Sequence, residues 1–235
     1  LEGKIMAKLP AFKNFPQKTV DFLKKLSNNN NKEWFEKHRD DYNSQFLEPA
    51  FQFVNEMGEK LSGIAPNIMA VPRIDKSVFR LHRDVRFSKD KSPYKTNLGI
   101  LFWEGKKKME SSGFYFHLDS KGYFLGAGIY MPSKEQLKIY RDAVTDTVLG
   151  KELKNSVNKV MKKGNYSIGG KTYKKIPKGY DPSSPFADFL LYSGLYAYSE
   201  GQDISELIKN DIIEYSFKKY KDMLPVHQWL VKIFK

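Results

Sequence analysis

The residues best suited to chemistry lie together between Phe79 and Asn97, in the stretch FRLHRDVRFSKDKSPYKTN. Its nineteen residues hold three arginines, three lysines, two aspartates, one histidine and one tyrosine, pinned by Ser92-Pro93. Arginine offers a planar fork that grips carboxylate or phosphate bidentately, and lysine adds a mobile point charge. Cations at this density, once partly buried, must be paired or must meet an anion, because an unpaired buried charge is too costly. Arg80, Arg83, Arg86, Lys89, Asp90, Lys91, Tyr94 and Lys95 are therefore candidate ligand-binding residues for an anion, with His82 and Asp84 as candidate acid–base groups. The alternative is an internal network in which Asp84 and Asp90 clamp Arg80, Arg83 or Arg86 and hold the loop. If Arg86 belongs to a buried pair of that kind, Arg86→Ala is strongly destabilising.

His117 is a further candidate ligand-binding residue, with Tyr115 and Asp119 on the same face of its strand. Strand pairing would gather His82, His117 and Asp84 into a set of two histidines and one carboxylate. No local spacing such as H-x-x-x-H supports a metal, so none is assigned, and no cofactor is implied. His38 falls on an aromatic stripe with Trp34 and Tyr42 and reads as a core-edge residue, while His227 in PVHQW has no sequence partner and is given no role. The asparagines from Asn28 to Asn31 make a helix start that favours anions, for which capping is the simpler account. Phe124 to Gly128 (FLGAG) places small residues inside a strand, allowing close approach by a ligand or a helix. Its G-x-G opens no helix and is no dinucleotide fingerprint, and the chain has no Walker loop, nucleophile elbow or H-E-x-x-H motif.

The elements that must position these residues follow from periodicity. Phe15-Pro16 opens a helix with Val20, Leu23 and Leu26 as its core face. Trp34, His38, Tyr42 and Phe46 recur every fourth residue, Pro49 is expected to end or kink that helix, and Phe53, Met57, Leu61 and Ile64 continue the period. Ile68–Val71, Val78–Arg83, Leu98–Trp103, Gly113–Leu118 and Tyr123–Tyr130 read as strands, the last three as an antiparallel meander. Pro132-Ser133 caps another helix, residues 164–181 form a loop with one short strand, and Gly194–Tyr198 reads as a strand. Ile204–Phe234 reads as helix broken at Pro225. The fold class is α+β: an antiparallel sheet in the middle of the chain packed against N- and C-terminal helices. Residues 1–14 are expected to be an artificial extension and flexible N-terminus, and residues 15–235 a single α+β domain.

Composition narrows the function classes. With 235 residues, 40% of them hydrophobic, the chain can bury a sizeable core. No apolar run approaches the roughly 18 residues of a membrane span, and the N-terminus lacks the apolar core of a signal peptide. The absence of cysteine excludes disulfides and thiolate catalysis and suits a cytoplasmic location. The formal charge of +13 invites a nucleic-acid partner, but the surplus is lysine scattered along the chain. A phosphorylated or other anionic small ligand is the favoured partner, nucleic acid the less favoured one, and no membrane is expected.

The stretch FRLHRDVRFSKDKSPYKTN resembles the signature of a family of bacterial and fungal proteins, domain-of-unknown-function family 2461. Asn29–Tyr42 (NNNKEWFEKHRDDY), Gly113–Pro132 (GFYFHLDSKGYFLGAGIYMP), Ile176–Pro185 (IPKGYDPSSP) and Leu224-Pro225 are similar to other parts of it, so the resemblance spans about Phe15 to Phe234. It implies an α+β fold and carries no activity with it. It also implies a basic residue after the short helix near Leu191, where this chain reads LYSG.

Overall fold

A computed structural model describes residues 12–199, 201, 203–209 and 211–235. Alternating side chains build its five-stranded antiparallel sheet: β1 (Asn97–Glu104), β2 (Ser112–Asp119), β3 (Tyr123–Ile129), β4 (Tyr166–Lys171) and β5 (Tyr192–Ser199), in the order β1-β2-β3-β5-β4. Register pairs Ile100 with Phe116 and Phe116 with Leu125, which puts one apolar row across the three strands of the meander. That row, with Leu98, Phe102, Phe114 and Leu118, is buried. The residues between them point to the opposite face.

Among the described residues, helices cover the first face. They are α1 (Gln17–Asn28), α2 (Lys32–Lys37), α3 (Arg39–Asp41), α4 (Glu48–Ser62), α5 (Lys134–Thr145), α6 (Thr147–Met161), α7 (Ile204–Lys209) and α8 (Ile212–Ile233). Side-chain oxygens of Asn31, Ser133, Asp146 and Asp211 satisfy the first amides of α2, α5, α6 and α8. α8 packs on β2, β3 and β5, and α4 on β1. Phe15, Phe53 and Phe116 meet between layers, with ring centroids 4.7–5.4 Å apart. The chain is α+β, as its periodicities require.

Three local expectations are corrected. Pro49 does not end its helix: residues Tyr42–Leu47 wind as a π-turn and Pro49 falls in the first turn of α4. Proline lacks the N–H that would bond back to Gln45, and that carbonyl accepts instead from the Thr19 hydroxyl at 2.5 Å. Pro225 does not break α8, because Met223, Val226, Trp229 and Leu230 are buried on both sides of it. Ile68–Val71 and Val78–Arg83 are not strands of the sheet. Pro72 and the left-handed Asp75 (φ 63°) interrupt them, and they meet β1 only at isolated bridges, Met69 to Trp103 and Val78 to Ile100. Together with bonds from Leu101 N–H to the Ser77 carbonyl and from Phe79 N–H to that of Gly99, they cover the outer edge of β1.

Candidate functional site

Beyond the buried Leu81 the signature turns back on itself as a narrow hairpin. The Lys95 amide donates to the Leu81 carbonyl (2.8 Å) and the Arg83 amide to that of Pro93 (2.9 Å). Its inner anchor is Tyr94, stacked on Phe35 at 4.2 Å and held through its backbone N–H and C=O by the Asn30 side chain (3.0 and 2.9 Å). The asparagine run therefore works structurally: Asn31 caps α2 and Asn30 fastens the signature.

The outer half of the hairpin is tied to itself. Arg83 pairs with Asp90 and donates to the Ser92 carbonyl (3.1 Å), and Asp90 accepts the Ser92 amide (2.9 Å). Hydrogen bonds from Ser92, then from Arg83, pull the Asp90 carboxyl down to about 2. Arg86 forks onto Asp84 (2.9 and 2.7 Å), whose carboxyl is lowered by those bonds. Lys91 donates to the Val85 carbonyl at 3.0 Å. Lys89 is exposed and Phe87, at the tip, is 95% exposed. Within the outer hairpin Arg83 and Arg86 are thus paired with Asp90 and Asp84, each carboxylate sitting within a few residues of its guanidinium, while Lys89 is exposed. Arg86 is 76% exposed, so its pair is not the buried one that Arg86→Ala was expected to break.

His82 is exposed beside the rings of Phe35 and Tyr94 (6.2 and 4.9 Å), and Asp84 is taken by Arg86. His117 sits in the sheet against Phe124 (4.6 Å). Among the described residues no trio of histidine, aspartate or glutamate is placed to hold a metal.

What the hairpin does deliver is Phe79 and Lys95, at its base, to the mouth of a cleft of about 520 Å³. The cleft lies on the face of the sheet away from the helices. Its floor is glycine: Gly99, Gly113, Gly126 and Gly128, one or two from each strand of the meander. A Cβ at Gly113 would meet the Phe102 carbonyl oxygen at 2.1 Å, and Gly128 (φ 142°) would put one 2.2 Å from that of Leu195. Gly126 is different, since its Cβ would meet nothing nearer than 3.4 Å. Aromatic walls rise from Tyr115, Phe124, Tyr196 and Tyr198.

Polar groups are few and ordered. Tyr115 Oη and His117 Nδ1 share a hydrogen bond of 3.0 Å, and His117 Nε2 lies 3.8 Å from Asp119. Burial lowers the His117 pKa, against the pull of Asp119, and pushes that of Tyr115 up to about 12, so both are neutral near pH 7. At the mouth, the ammonium groups of Lys95 and Lys108 stand over the same Phe79 ring, 5.5 and 3.7 Å from its centroid. Lys108 also donates to the Lys76 carbonyl. Burial lowers both amines, Lys108 to about 8.

Of the residues singled out in the sequence, Lys95, His117, Tyr115, Phe124, Gly126, Ala127 and Gly128 line the cleft, and Arg80 does not. Sequence reasoning passed over Lys108, Tyr196 and Tyr198. Tyr196 and Tyr198 did carry a signal, alternation within a strand, but Lys108 lay in a lysine-rich turn. His227, given no role, has two partners on the helix side: its ring nitrogens meet Ser112 Oγ (2.9 Å) and Glu104 Oε2 (3.0 Å) while the residue is 1% exposed.

A family model described as a conserved hypothetical protein (DUF2461) matches residues 18–229, most of the chain, and the chain belongs to that family. No curated protein matches it.

Proposed function

We propose that this DUF2461 protein binds a small ligand in the cleft, one that joins an apolar, ring-bearing body to an anionic group of the phosphate type. One observation carries the reading: among the described residues lining the cleft, the only formal charges are the Lys95 and Lys108 ammonium groups, and no carboxylate is present. Aromatic walls and a glycine floor suit a flat apolar body, and the paired ammonium groups suit an anion at one end. The alternative, that the signature is an internal network, is favoured for its outer half by the Arg83–Asp90 and Arg86–Asp84 pairs. No reaction is assigned, since neither His82 nor Asp84 lines the cleft.

1-Naphthyl phosphate, titrated calorimetrically, is the probe. Gly126→Leu fills the cleft from its floor at the glycine with room for a side chain and should abolish binding. Lys108→Met should weaken it about tenfold, the loss of one charge-assisted contact. Binding that survives both substitutions unchanged would contradict the proposal.

A further inference from the structure

The cleft is longer than its charged end needs. The Phe79 ring that carries both ammonium groups lies against Gly99, where a Cβ would meet its Cδ2 at 3.2 Å. The charged end therefore stands over β1. From there the floor continues diagonally to Gly128 on β3, which pairs with Gly113 and through it with Trp103, four residues along β1 from Gly99. Four residues of antiparallel strand and two strand spacings put about 16 Å between the two glycines. A phosphorylated ring resting on Gly126 covers only part of that diagonal.

The far end is apolar and open. Beyond Gly128 the chain presents Tyr130 and Met131, 68% and 61% exposed, and Met109, in the turn before β2, is 45% exposed; all three line the cleft. Both charges of the described lining sit over Phe79, so this end has none. The Tyr130 ring packs on that of Tyr196 at 5.6 Å and carries the aromatic wall outward. Large exposed apolar side chains gathered at the rim of one concavity mark a contact surface. Methionine, unbranched and with three rotatable bonds, adapts to a flexible chain. We infer that the ligand is an alkyl-substituted aryl phosphate, its phosphate at Lys95 and Lys108, its ring over Gly126 and its carbon chain running past Gly128 to Met109, Tyr130 and Met131. This rests on the cleft reading above and adds the rim to it.

Calorimetric titrations of the full chain with phenyl phosphate, 4-butylphenyl phosphate and 4-hexylphenyl phosphate, beside 1-naphthyl phosphate and each below its aggregation concentration, test it. The butyl chain should tighten binding about tenfold over phenyl phosphate, the increment of four carbons half-withdrawn from water, and the hexyl chain should tighten it further. The double variant Met109→Gln/Met131→Gln, at two exposed positions, should remove most of that gain. Binding of 1-naphthyl phosphate with no gain from a chain overturns the alkyl chain and leaves the cleft reading standing. A gain that persists undiminished in the double variant overturns it as well. Failure of every probe to bind overturns both. A phosphotyrosine peptide with leucine on either side that binds tighter than the hexyl compound would overturn the alkyl chain by placing a polypeptide on the rim instead.

Discussion

Lys108 is where opposing physical effects meet. Burial pushes its amine down to about 8, while the Phe79 ring beneath it favours the ammonium. An anionic ligand binds the protonated form, so affinity for 1-naphthyl phosphate should fall as pH rises through about 8. Lys108→Arg should flatten that profile, because a guanidinium stays charged throughout; a wild-type profile already flat from about pH 7 to about pH 9.5 would contradict the assignment. Arg86 gives the opposite case. Its pair with Asp84 is solvent-exposed, and Arg86→Ala is expected to leave the denaturation midpoint nearly unchanged. The density of charge around Arg86 was legible in the sequence; whether those charges face a ligand or one another was not, because that depends on how tightly the hairpin turns. Lys95 was legible as chemistry from the density of cations in the signature, and His117 from its place in a strand beside Tyr115 and Asp119. Lys108 belongs to a run of lysines that differ only in what the fold places beneath them.

At the scale of elements, His227 ties the last helix to the meander. It bridges Ser112 at the start of β2 and Glu104 at the end of β1, and Asn67 also reaches Glu104 (3.3 Å). His227→Ala would strand both partners and should cost about 3 kcal/mol, read from chemical denaturation at neutral pH. The bond to His227 is the main cause lowering the Glu104 carboxyl, which is 11% exposed. A carboxyl lowered in the folded state stabilises the fold above its unfolded pKa of about 4.3 and loses that contribution as pH falls through the folded value. Glu104→Gln should therefore reduce the loss of stability between about pH 5 and about pH 3, and an unaltered acid limb would count against the bridge. Helices α1, α4 and α8 and the three strands of the meander were legible because each keeps its period over several turns or residues. Residues 68–83 alternate like strands, yet Pro72 and Asp75 let them pair with β1 only at points. The two prolines misled in the other direction, because burial around α8 and the π-turn before α4 absorb the missing amides.

The whole molecule pairs a thoroughly covered sheet face with an open one. Buried side chains from Phe15 to Leu230 form one contiguous core that draws on both ends of the chain and on the sheet. Residues 15–235 are accordingly expected to unfold in one transition, with far-ultraviolet circular dichroism and tryptophan fluorescence coinciding; two separated transitions would divide the chain into domains. No helix among the described residues is long and apolar enough to cross a membrane. Lysine is scattered along the chain, and at the cleft mouth two lysines meet an apolar concavity. On the proposed reading the ligand binds there and not in the self-paired loop above it. A crystal structure with 1-naphthyl phosphate tests this most directly. The phosphate should lie between Lys95 and Lys108 with the rings over Gly126; a phosphate held by Arg83, Arg86 and Lys89, with the cleft empty, would contradict it.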